Sequence, residues 1–241
     1  MKKIVISQSM YFPWLGMLEQ IKNANIFVHY DDVQYSKGSF SNRVQFKTAQ
    51  GSKWLSIPLR AQSLGQTLEE VLVDNRTDWR SHHREMLRQA YLRAPFQEDM
   101  LSIFDNAMSR PGNTLAQISR ASMLVLAEYF SLTSHCCFKD VSTMCIPGNG
   151  SDRVLGVVKN IGGNIYITGH GARNYLNHDL FEAAGIEVRY MNYRCIPYPQ
   201  LYGEFNPYVS ALDLVANCGK DGQRFIQSES INWKTFTNGS N

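Results

Sequence analysis

The chain has 241 residues, 44% of them apolar, and a formal net charge of +3 from 24 basic and 21 acidic side chains. That is enough apolar material for the core of one large domain, and the charges are mixed in sign, with no basic run to mark a nucleic-acid surface. No stretch reaches the roughly 20 apolar residues of a membrane span and the N-terminus shows no secretory signal, so we expect a cytoplasmic protein.

In chain order, Lys3-Ile4-Val5-Ile6 reads as an apolar strand running into the loop Ser7–Gly16, and Leu15, Leu18 and Glu19–Ala24 give a short amphipathic helix. Ile26-Phe27-Val28 predicts the next strand, which exits into His29-Tyr30-Asp31-Asp32-Val33-Gln34-Tyr35. Val44–Lys47 and Trp54–Pro58 predict a hairpin turning near Gly51. From about 78 to 130 the apolar period becomes helical, and breaks at Ala94-Pro95 and Pro111-Gly112 divide it into three helices. Cys136-Cys137 begin a further strand. Ser151-Asp152 is placed to cap a helix ended by Gly162-Gly163, and Asn164–Thr168 is a buried strand. Gly169-His170-Gly171 then leads to a helix through Phe181–Ala184, closed by Gly185, and to a strand over Ile186–Tyr190. The expected architecture is α/β, a central parallel or mixed sheet of β-loop-α-β units at both ends of one 1–241 domain, with the helical region at about 78–130 inserted between them.

Polar groups gather at the predicted strand exits. Asp31 and Asp32 put two carboxylates after one strand, on opposite faces if the strand continues, where one can cap a helix and the other act as a base. Gly169 and Gly171 permit close backbone approach where a strand passes into a helix, a setting for phosphate or carboxylate, and His170 between them is the histidine best placed for proton transfer. Asn42-Arg43 can deliver a guanidinium to an anion. His29, inside a strand, reads as packed, and His82-His83 as exposed at a helix start. Tyr11, Phe12, Trp14, Tyr30 and Tyr35, with Tyr193–Tyr208 beyond the last strand, surround these groups with flat amphipathic rings that suit a sugar or nucleotide or, equally, cover a core. The five cysteines show no Cys-x-x-Cys pair and no electropositive setting for a nucleophilic thiol, and the histidines show no His-x-x-x-His face. Neither a full Gly-x-Gly-x-x-Gly nor a Walker loop is present, so no bound cofactor or metal is expected.

The segments Gln8-x-x-Tyr11-Phe12-Pro13-Trp14-x-Gly16, Tyr30–Tyr35, Asn42-Arg43, Trp54–Pro58, Trp79 with Tyr91, Tyr166-Ile167-Thr168-Gly169-x-Gly171-Ala172-x-x-Tyr175-Leu176 and Phe205-x-Pro207-x-x-Ser210–Leu214 with Gly219 together resemble the WbqC-like family. The resemblance implies a place in bacterial polysaccharide and O-antigen biosynthesis, beside enzymes that make nucleotide-linked amino sugars, but carries no agreed catalytic set. A narrower stretch, Ala172-Arg173-Asn174-Tyr175-Leu176, is similar to one in pantothenate synthetases. The His-x-Gly-His motif of those enzymes is missing, with Trp14, Gly16 and Glu19 in its place. The function expected is N-acyl or aminoacyl transfer to the amine of a nucleotide-linked amino sugar, from an acyl carrier protein or other thioester donor. An ATP-dependent amide ligase, a glycosyltransferase and a non-catalytic sugar-nucleotide or carrier-protein binding module stand as alternatives. Asp31, Asp32 and His170 are the candidate proton-transfer residues, and Gln8, Tyr11, Trp14, Gln34, Asn42, Arg43, Gly169, Gly171, Arg173 and Tyr175 the candidate binding residues.

Overall fold

Alternation within the first strand already divides the protein into two cores. In β1 (Lys3–Ser7) Ile4 and Ile6 enter one apolar cluster and Val5 the other. β2 (Ile26–His29) repeats the split with Val28 against Phe27, and β6 (Ile165–Thr168) with Tyr166 against Ile165 and Ile167. Strands buried on both faces are what a parallel sheet covered by helices requires. The computed structural model describes residues 1–238.

With β5 (Cys137–Asp140), β7 (Glu187–Asn192) and β8 (Glu229–Asn232), these strands form one six-stranded sheet in the order β5-β2-β1-β6-β7-β8, parallel except for β8. The sheet is thus mixed, as the sequence allowed. α1 (Leu15–Asn23) connects β1 to β2 on one face, while α5 (Gly150–Ile161) and α6 (His178–Ala183) lead to β6 and β7 on the other. This is the doubly wound arrangement, and its strand order reverses between β1 and β6, the place where ligands of such sheets bind outside the carboxyl ends.

The chain between β2 and β5 leaves the sheet. It forms the hairpin β3 (Arg43–Thr48) and β4 (Gly51–Ser56), then α2 (Trp79–Ala90), α3 (Gln97–Ser109) and α4 (Leu115–Tyr129), whose start is fixed by a capping box of Thr114 and Gln117. Three helices stand where the period predicted them. α7 (Ala211–Cys218) returns against α3, capped by Ser210, whose hydroxyl accepts from Leu212 N and donates to the Phe12 carbonyl at 2.7 Å. α8 (Trp233–Asn238) follows β8.

Several local expectations fail for identifiable reasons. α5 begins at Gly150 with Asn149 as its cap residue, and Ser151 turns away to accept from Asn177 N and donate to the Tyr175 carbonyl. Gly169–Gly171 opens a single 3-10 turn (His170–Asn174), and α6 starts only at His178, so those glycines do not stand at an α-helix N-terminus. His83 is buried, because it shares the face of Trp79 and Leu87 four residues to either side. β8 has no counterpart among the predicted elements.

Candidate functional site

At the exit of β1 the chain turns through Ser9 and enters the strained segment Tyr11-Phe12-Pro13, where Phe12 lies at φ 39°. Two hydrogen bonds hold it there, Phe12 N donating to Ser122 Oγ at 2.8 Å and Ser210 Oγ donating to the Phe12 carbonyl. The turn lets Trp14 fold back over α1, its indole lying where a Cβ on Gly16 would come within 2.3 Å of the ring, so position 16 accepts no side chain.

The two carboxylates at the exit of β2 do point to opposite faces, each to its own arginine. Asp31 is fully buried and accepts from Arg120 Nε of α4 at 2.6 Å, from Ser9 N at 2.8 Å and from Ser9 Oγ at 2.7 Å. Arg120 also reaches Glu69 at 2.5 Å and Asp140, at the end of β5, at 3.0 Å. Asp32 accepts a two-pronged bond from Arg153 of α5, at 2.9 and 2.5 Å, and that guanidinium lies 5.0 Å over the Tyr30 ring. The arginines therefore lock the β2 exit to both layers of helices. Neither Arg120 nor Arg153 is a sequence candidate, although the lone cation in the largely buried α4 is itself a sign of a buried acidic partner.

On the α5 side of this exit is a cavity of about 320 Å³, lined by Tyr30, Gln34, Gly148-Asn149-Gly150, Arg153 and Tyr175. Two tyrosines, an arginine paired with Asp32 and the residues that open α5 line it, a combination suited to a ring linked to an anion. Of the sequence candidates, Gln34 and Tyr175 line it, and Asp32 joins it through Arg153. Gln8 donates to the Gln34 carbonyl at 3.4 Å.

At the neighbouring exits of β6 and β7 a second group assembles. Trp14 packs on Tyr193 (5.0 Å between centroids) and Tyr193 on His170 (5.1 Å). Gly169 sits beneath the Tyr193 hydroxyl, 3.3 Å from the position of a Cβ. His170 is exposed and its Nε2 lies 2.7 Å from the Met191 carbonyl, which can only accept, so Nε2 carries the proton and Nδ1 is left bare in the neutral ring. Gly171 and Arg173 are exposed on the same turn, the guanidinium of Arg173 lying 5.9 Å over Phe236.

The remaining candidates lie elsewhere. Tyr11, expected at a ligand surface, is wholly buried, donor or acceptor to His83 Nδ1 at 3.0 Å and packed on Trp79, so it presents no face to a ligand. Asn42 accepts from the Tyr35 hydroxyl at 2.9 Å. Arg43 stacks 4.4 Å over Trp54, makes no ion pair among the described residues, and its Nε is buried without a hydrogen-bond partner. Burial pushes the Cys136 thiol up to about 12, an inert setting. Among the described residues no group of three or more His, Cys, Asp or Glu is placed to hold a metal ion, and no helix is long and apolar enough to cross a membrane.

Residues 8–225, from the β1 exit through the whole insert to the turn after α7, match the WbqC-like protein family. The chain belongs to that family. An uncharacterized protein of Mycobacterium tuberculosis, Rv1507c, is 28% identical over 230 residues, covering 94% of this chain and 98% of its own. No solved structure matches significantly. The matched span of this WbqC-like protein includes both arginine-locked carboxylates, Arg43 and the His170 turn, and excludes β1 and β8.

Proposed function

We propose that this WbqC-like protein acts in surface-polysaccharide biosynthesis, transferring an acyl group from a thioester to the amine of a nucleotide-linked amino sugar. The observation that carries the reading is the bare Nδ1 of His170 at the exit of β6, separated from β2 by β1 and beside the reversal of strand order. An amine is protonated and non-nucleophilic at neutral pH, so acylation needs a proton acceptor near it. The ammonium loses its first proton through His170 Nδ1 to solvent, the amine lone pair forms the C–N bond to the acyl carbon, His170 Nδ1 takes the second proton from the adduct nitrogen, the C–S bond breaks, and the imidazolium gives that proton to the leaving thiolate. Tyr30 and Tyr175 stack on the ring of the nucleotide sugar, and Arg43, a cation with no acidic partner among the described residues, neutralises phosphate. Asp31 and Asp32 hold the β2 exit in place.

One observation favours a second reading, a sugar-nucleotide binding module without chemistry. Both carboxylates that the sequence offers as bases are already paired with arginines. Comparing His170→Ala, Asp31→Asn and Asp32→Asn separates the two readings. Loss of turnover on the order of 10²-fold or more in His170→Ala, with sugar-nucleotide affinity retained, supports the transferase. Binding by the native protein without turnover from any thioester supports the module.

A further inference from the structure

On the α4 side of the β2 exit, away from Tyr30 and α5, His29 with Arg120, Lys139, Asp140, Phe138, Leu124 and Ala121 lines a separate cavity of about 290 Å³, in which two cations face Asp140. His29 is 5% exposed and its ring stacks on Phe138 at 5.6 Å. Its protonation is dictated by its neighbours. Asp31, paired with Arg120, accepts only, so the Ser9 hydroxyl 2.7 Å away donates to it. Ser9 Oγ must then accept from His29 Nδ1–H at 2.8 Å. The relay Asp31–Ser9–His29 leaves Nε2 as a bare acceptor, and it makes no hydrogen bond among the described residues. Burial, helped by the Arg120 charge, lowers the His29 pKa from 6.5 to about 4, so the ring is neutral at physiological pH.

We propose that this cavity binds a single neutral sugar ring, one hydroxyl of which donates to His29 Nε2. The donors and acceptors select that chemistry. Arg120 gives Nε to Asp31 and Nη2 to Glu69, and its Nη1 lies 3.0 Å from Asp140 in an ion pair, which leaves terminal N–H groups for a ligand oxygen. A hydroxyl donates to Nε2 and accepts from Arg120, whereas an ammonium can only donate and a carboxylate can only accept. Phe138 and Leu124 offer an apolar wall to the C–H face of the ring. The volume lies at the floor of the roughly 300–1,000 Å³ range of ligand sites, which fits one ring rather than a nucleotide. The proposal is independent of the transfer reaction.

The test is an NMR titration of the full chain with methyl α-glucopyranoside and with N-acetylglucosamine, reading the His29 ring nitrogens. The free protein should show the Nδ1–H tautomer, and sugar should shift Nε2 while glycerol, a polyol without a ring, does not. His29→Phe, which keeps the stack on Phe138, should weaken sugar binding by about tenfold or more. An Nε2–H tautomer, no response of His29 to either sugar, an equal response to glycerol, or unchanged affinity in His29→Phe overturns the proposal. The tautomer and titration are read on the native protein, so they decide even if the variant does not fold.

Discussion

Two histidines at strand exits differ in which nitrogen is bare, and in each the deciding group is an obligate acceptor: the Met191 carbonyl for His170, and Asp31 acting through Ser9 for His29. Arg43 is the complementary case, its Nε a donor left without an acceptor among the described residues. A guanidinium with a buried, unpartnered Nε gains most from an anion, because its desolvation is already incurred before the ligand arrives. Arg43→Ala should therefore weaken binding of a nucleotide sugar by roughly 1.5–3 kcal/mol, the range for a hydrogen bond to a charged group, while Arg43→Lys recovers only part of it. Calorimetry on the folded variants decides the point, and an unchanged affinity would return Arg43 to a purely structural contact with Trp54.

The element that carries the first loop is α7, although it lies about 200 residues along the chain. Its cap residue Ser210 binds both Leu212 N and the Phe12 carbonyl, so one hydroxyl starts a helix and holds a left-handed Phe12. Ser210→Ala should lower stability by about 1–2 kcal/mol, the upper part of the range for a lost cap, read as a shift in urea midpoint at unchanged slope. A loss below about half a kcal/mol would show that the Phe12 conformation holds without it. Elements of this kind mark the limit of what the sequence discloses. β1, β2, β6 and β7 were legible because their side chains alternate between two cores, and the three inserted helices because their apolar period is unbroken between prolines. β8 was not, since Glu229-Ser230-Ile231-Asn232 is polar and pairs on one side only. Asp31, Asp32 and His170 were legible as strand-exit residues. Their partners were not, because Arg120 lies 89 residues from Asp31 and Arg153 lies 121 from Asp32, separations at which only the tertiary fold makes contact. His83 could have been found from its spacing to Trp79 and Leu87.

Across the whole molecule, buried titrating groups set how stability follows pH. Burial lowers both His29 and His83 from 6.5 to about 4, so each contributes stability that is present above pH 6.5 and lost as pH falls toward 4, on the order of 3 kcal/mol apiece. Asp213, buried under the hydroxyls of Tyr91 and Tyr198, is raised by burial from 3.8 to about 6. Its contribution has the opposite sense, fully present below 3.8 and lost as pH rises through 6, and is also on the order of 3 kcal/mol. The native protein should thus be less stable at pH 4.5 than at pH 7, and Asp213→Asn, which removes the opposing group, should steepen that loss in urea unfolding. A flatter profile in the variant would reverse the sign assigned to Asp213. The doubly wound sheet, the cavity beside α5 and the His170 turn converge on the β1–β6 reversal, and the central claim is that amide chemistry occurs there. The most direct measurement incubates the native protein with an acyl thioester and a nucleotide-linked amino sugar and follows both products, the amide by mass spectrometry and the free thiol by a colorimetric reagent. The account predicts amide and thiol in equal amounts, with the amide lost in His170→Ala; sugar nucleotide bound by the native protein with neither amide nor thiol produced would contradict it.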